Sequence, residues 1–143
     1  MPSMSFQRSL VISGAALFLL GLLQGAVVQS FTNPRMALSA HLTAVQSGTV
    51  LMVVGVVWSV VSLNAVFSKI ARWSIMVGMY GLWIGLTLSA TTGASASLPI
   101  AGAGHDADRL TEMGVSIMVL GSSALMTIGW FFFLAGLIRS KGD

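Results

Sequence analysis

Few side chains in this 143-residue sequence are equipped for chemistry. There are two histidines, His41 and His105, a single tyrosine, Tyr80, and four carboxylates, and there is no cysteine. The absence of cysteine excludes disulfides, iron–sulfur clusters and thiolate catalysis. No Ser-His-Asp set, carboxylate pair, P-loop or zinc signature is present. The four carboxylates, Asp106, Asp108, Glu112 and Asp143, all fall outside the long apolar runs. This argues against a proton-coupled pump or carrier, whose relays need acids inside the membrane. His41 stands just ahead of the second apolar run and is the residue to account for. It either hydrogen-bonds across a helix interface, or its imidazole ligates a metal or haem. With no acid, base or nucleophile set, an enzyme of this composition needs a cofactor to supply the chemistry.

The elements that must position these residues are membrane helices. The sequence is 55% hydrophobic and 8% charged. A soluble domain carries about 25% charged residues, so this chain could not solvate a water-facing surface. Four apolar runs, about 9–28, 42–63, 73–91 and 113–138, contain neither proline nor formal charge. Each is near the roughly 20 residues a spanning helix needs. Alternating polarity, the mark of a membrane barrel, is missing. The expected fold is one all-α integral membrane domain, a four-transmembrane-helix bundle over residues 1–143. The first run is too long for a signal peptide and no convincing cleavage site follows it, so it reads as a retained helix.

Lys and Arg gather at span ends, without aromatic interleaving, so the net charge of +3 does not indicate nucleic acid. Arg8, Lys69, Arg72, Arg139 and Lys141 fall on one side, and Arg35 and Arg109 on the other. That bias places both termini in the cytoplasm. Trp73, Trp130 and Phe131 to Phe133 suit interfacial anchoring.

Asn33-Pro34 is an N-cap followed by proline at the first helical position, so helix 2 is expected to start near residue 34. His41 then lies seven residues in, about 10 Å along the axis. At 100° per residue His41, Ala44, Val45, Gly48, Met52, Gly55 and Ser59 share a face. Ala44 and Gly48 make it small beside the histidine, leaving room for a flat group or a close helix. Span 3 carries Trp73, Met76, Tyr80, Trp83 and Thr87 on one face, either a packed stripe or the wall of an aromatic pocket. Gln24, Gln46 and Ser47 are further polar groups at or in spans 1 and 2. Gly21 and Gly25 form a GxxxG pair, and Gly114, Gly121, Gly129 and Gly136 line span 4, a pattern that favours close helix contact. The long third break, Thr92 to Thr111, holds His105 beside Asp106 and Asp108. It reads as a solvated loop, with an ion site as the alternative.

The stretch Asn33-Pro34-Arg35-Met36-Ala37-Leu38-Ser39-Ala40-His41-Leu42 resembles the signature of the bacterial hydroxylaminobenzene mutases. So does Leu98-Pro99-Ile100-Ala101-Gly102-Ala103-Gly104-His105 in the third break. The length, the four spans and Tyr80-Gly81 also fit, and the resemblance covers nearly the whole chain. More distantly, the pattern is similar to styrene oxide isomerase. The resemblance implies a bacterial inner-membrane isomerase that converts an N-arylhydroxylamine to an ortho-aminophenol. It also implies a homotrimer with ferric haem b between subunits, His41 as axial ligand and the iron as Lewis acid. Carried over by position, Asn33, Arg35, Ala44 and Gly48 would support the cofactor, and Tyr80 and Ser47 would be polar pocket groups. Two positions depart from the pattern. Ser47 stands where the relatives carry Asn, and Tyr80 aligns with the Asp of styrene oxide isomerase. The other readings for such a chain are a membrane haem protein for electron transfer, with Met36 or Met52 as second ligand, an epoxide isomerase, and a structural subunit without cofactor.

Overall fold

The computed structural model describes residues 4–140, with side-chain burial from residue 6; Lys141, counted in the charge bias, lies outside the described residues. Four helices follow one another: α1 (Met4–Ala26), α2 (Pro34–Val57), α3 (Ala65–Thr92) and α4 (Arg109–Arg139). All four are long and apolar enough to cross a membrane, and no strand occurs among the described residues. The chain is an all-α membrane bundle. Backbone chemistry explains this class, because within hydrocarbon a helix satisfies its own N–H and C=O groups.

The helices extend past the apolar runs because polar residues cap them. The Asn33 side chain accepts from the Met36 amide and starts α2 ahead of its apolar stretch. Asn64 does the same for α3 through the Phe67 amide, and Asp108 starts α4 through the amides of Leu110 and Thr111. α3 ends at Gly93, which adopts φ 86°, a left-handed conformation that a side chain would strain.

α1 packs along α2, α2 on α3, and α3 along α4, while α1 approaches α3 only lightly. Glycine sets the close approaches. A Cβ at Gly14 would come within 2.6 Å of the Gly48 carbonyl, and one at Gly129 within 2.7 Å of Ile75. The main core of Leu17, Leu51, Val54, Trp58, Ile75 and Phe133 lies toward the end holding the basic residues. There Trp58 meets Phe6 and Phe133 at ring-centroid distances of 5.3 and 5.6 Å, and Arg72 sits 3.8 Å above the Phe6 ring.

At the other end the 94–108 connection is folded tightly over α2 and α3. Leu98 and Ala101 pack on Met36, Ala37, Ala40, Leu86 and Ala90. Glu112 accepts from the backbone amides of Ser95, Ala96 and Ala107, which ties the loop to α4.

Candidate functional site

His41 lies on the α1 side of α2, half-buried. Its Nδ1 is 2.7 Å from the carbonyl oxygen of Gly21. A carbonyl only accepts, so Nδ1 carries the proton and donates. The ring also rests on Gly25, where a Cβ would stand 2.7 Å from both Cε1 and Nδ1. Nε2 makes no hydrogen bond among the described residues.

The small face of α2 is occupied. Gly21 meets Ala44, and Gly48 lies against Gly14 and Phe18. Of the two occupants the sequence allows beside Ala44 and Gly48, a close helix is the one found. A flat group against His41 must therefore lie off the outer edge of the imidazole. Leu38 and Leu42 are exposed there, at 47% and 48%. Arg35 is exposed near Leu38 and Leu42, six residues before His41, about 9 Å along the axis and roughly 120° around it. Arg35 Nη1 donates to the Ile100 carbonyl at 3.5 Å, a weak bond and the guanidinium's only one among the described residues.

Asn33 is buried and works in three directions. It caps α2, its Nδ2 donates to the Ala101 carbonyl at 3.0 Å, and its amide donates to the Ala90 carbonyl at 2.9 Å. Its contacts anchor the loop, about 12 Å of helix from His41. Ser47 is buried on the face that Met36 and Ala40 turn toward α3, roughly 240° around α2 from His41.

Tyr80 is also apart from His41. Its hydroxyl donates to the Ser13 carbonyl at 2.7 Å. Ser13 and Gly21 are eight residues apart on α1, about 12 Å. Tyr80 and Ser13 border two adjoining grooves of about 360 and 540 Å³, one lined by Met76, Val77, Gly81 and Ile84, the other by Arg8, Ser9, Ile12 and Ala16. The structure thus sets His41 against α1 at Gly21 and Gly25, and Tyr80 at another place. The aromatic stripe of α3 is fastened to α1. Trp83 Nε1 donates to Gln24 Oε1 at 2.7 Å, and Gln24 Nε2 donates to Thr87 Oγ1 at 3.0 Å.

Met36 is fully buried toward α3, and Met52 packs on Gly14, so neither is placed to share a ligand position with His41. His105 is half-buried, with Nδ1 shielded and without a hydrogen-bond partner among the described residues. No cluster of three metal-ligating side chains occurs among the described residues. Asp108 is a cap: bonds from the Thr111 hydroxyl and amide hold its carboxyl below the usual range.

In the sequence Gly21 and Gly25 read as a packing motif, with nothing nearby to connect them to His41. The signal that was present is the order of the chain, since two helices joined by a short turn must run antiparallel. Counting back from that turn sets Gly21 and Gly25 level with His41.

The model of the family described as styrene oxide isomerase matches residues 6–138. The chain belongs to the styrene oxide isomerase family. Two curated relatives are similar over most of this family member's length. Hydroxylaminobenzene mutase HabA of Ectopseudomonas oleovorans is 34% identical over 134 residues, covering 93% of this chain and 99% of the relative. Hydroxylaminobenzene mutase HabB of the same organism is 34% identical over 131 residues, covering 91% of this chain and 80% of the relative. No solved structure matches the chain. The isomerase family therefore includes a member whose histidine is held by a glycine carbonyl of the neighbouring helix.

Proposed function

We propose that this family member is a membrane isomerase that converts an N-arylhydroxylamine, such as hydroxylaminobenzene, to 2-aminophenol with ferric haem b as cofactor. The reaction moves one oxygen within the molecule. The N–O bond breaks, an ortho C–O bond forms, the ring carbon loses its proton and nitrogen gains one, with no net redox change. The identity to two mutases over nearly the full chain supports the reaction class.

The observation that carries the cofactor assignment is the donor chemistry of His41. Nδ1 is engaged by the Gly21 carbonyl, so in the neutral imidazole Nε2 keeps a lone pair, and it has no hydrogen-bond partner among the described residues. Residues and group fit: His41 would hold the iron, and the free donors of Arg35 suit a propionate. Bound there, ferric haem supplies a Lewis acid that assists N–O heterolysis. His41 holds its Nδ1 proton against Gly21 throughout. Leu38, Leu42 and Val45 exclude water from the ring-binding side.

We place the haem between subunits of a homotrimer in the bacterial inner membrane, with both termini cytoplasmic. Gln46 supports the assembly, because its exposed amide sits halfway along α2 without a hydrogen-bond partner among the described residues. An unsatisfied amide facing hydrocarbon costs several kcal/mol, and a neighbouring copy relieves it. Tyr80 and Ser47, remote from His41 within one chain, enter as polar pocket groups of that assembly.

The test is absorption spectroscopy and turnover of the detergent-purified protein loaded with haemin. A Soret band that is lost in His41→Ala, with 2-aminophenol formed from phenylhydroxylamine, is the expected result. Absence of the band in the unaltered protein would overturn the cofactor assignment. Unchanged phenylhydroxylamine, with styrene oxide consumed instead, would overturn the substrate.

A further inference from the structure

We infer that the Gly21–Gly25 pair of α1 is an orienting seat for His41, which fixes the imidazole as its Nδ1–H tautomer and presents Nε2 outward. The link to haem rests on the function proposed above; the seat itself does not. The two glycines do different work. A Cβ on Gly21 would meet Ala44 at 2.8 Å, so Gly21 brings the backbones together and its carbonyl within reach of His41. The three atoms nearest to a Cβ on Gly25 would all belong to His41, 2.7 Å away at Cε1 and Nδ1 and 3.3 Å at Cγ. The volume missing at Gly25 is therefore filled by the imidazole, and not by the facing helix. At Gly14 and Gly48 of the same interface the missing volume is taken mainly by backbone, at Gly14 by the Gly48 carbonyl and the Met52 amide.

Contact on one face and a hydrogen bond at one edge remove the two freedoms a histidine ring has. Flipping the ring by 180° would set a C–H against the Gly21 carbonyl and forfeit the bond, while moving the proton to Nε2 would set two lone pairs against each other at 2.7 Å. A metal-binding histidine generally needs its second nitrogen bound in this way, which orients the ring and strengthens donation from the first. The carbonyl here comes from the neighbouring helix, so the ligand's orientation depends on the α1–α2 contact. Gly21 and Gly25 are positioning residues.

The experiment uses the full chain in detergent, labelled with 15N in the imidazole ring and recorded at alkaline pH before haemin is added. Only two histidines are present, and His105→Asn assigns the signals. His41 is expected to carry its proton on Nδ1 with Nε2 bare. Gly25→Ala is expected to abolish that preference and to weaken haemin binding about 10–100-fold, the usual effect of losing such an outer partner. Gly129→Ala, which crowds α4 against Ile75 of α3 and leaves the α1–α2 contact alone, is expected to leave the tautomer as it was. A proton on Nε2 of His41 in the unaltered chain would overturn the seat, and so would a Gly25→Ala protein with unchanged tautomer and unchanged haemin affinity. Should Gly25→Ala fail to fold, the tautomer of the unaltered chain decides. If the unaltered chain binds no haemin, the proposed cofactor fails, while the nitrogen spectra still judge the seat.

Discussion

His41 and Gly21, twenty residues apart, meet in a side chain-to-backbone hydrogen bond of 2.7 Å. The bond crosses from α2 to α1 and gives the one histidine of the spans a partner that any residue at position 21 would offer chemically. Position 21 must be glycine for steric reasons, because Ala44 stands where its Cβ would go.

Gln24 is the most consequential polar residue of α1 for stability. It is 7% exposed and satisfies both Trp83 and Thr87 of α3. Gln24→Leu orphans the Trp83 N–H in an apolar setting and should cost about 1–2 kcal/mol. Unfolding of the detergent-solubilised variant measures this, and a wild-type midpoint would show that the network contributes nothing.

Tyr80→Phe separates anchoring from chemistry. Loss of the bond to Ser13 should cost about 0.5–1 kcal/mol, in line with hydrogen bonds in other membrane bundles. If the Tyr80 hydroxyl serves the substrate as proposed, kcat/KM also falls, by about tenfold for one neutral hydrogen bond, while the Soret band stays in place. Turnover equal to wild type would remove Tyr80 from the pocket.

Asn33→Ala removes a helix cap and the tether to Ala101 together. The combined cost should be about 2 kcal/mol. Hydrogen exchange should report it locally, as faster exchange at the Met36 amide and at the Gly102 and His105 amides of the loop. Faster exchange spread evenly over all four helices would contradict a local role.

Asp108 gives α4 a pH-sensitive start. Its carboxyl is held below the usual range by Thr111 and Leu110, so the folded chain binds the proton less readily than the unfolded chain. The stabilisation is present above the ordinary aspartate pKa and is lost as pH falls through the lowered value. Amide protection at Leu110 and Thr111 should drop in acid and hold at neutral pH. Asp108→Asn, which retains a capping oxygen, should abolish that dependence, and an unchanged acid profile would refute the assignment.

Much of the fold was legible in the residues, because membrane physics leaves few options. Uninterrupted apolar runs of spanning length can only be helices, and caps such as Asn33-Pro34 mark a start by local hydrogen bonding. The resemblance around Asn33 to Leu42 pointed to the family that the full-length comparison supports.

The sequence by itself determined the helices, their order and the isolation of His41 among apolar residues, since each depends on the properties of nearby residues. Only the tertiary structure decided which helix fills the small face beside Ala44 and Gly48, which nitrogen of His41 is engaged, and that Tyr80 is anchored at Ser13, away from His41. The physical reason is that these are contacts between helices. A face can be read from a helical wheel, but the carbonyl that a ring nitrogen reaches depends on the rotation and axial offset of two helices. That offset is set by the fit of Gly14, Gly21 and Gly25 against Gly48, Ala44 and His41 together.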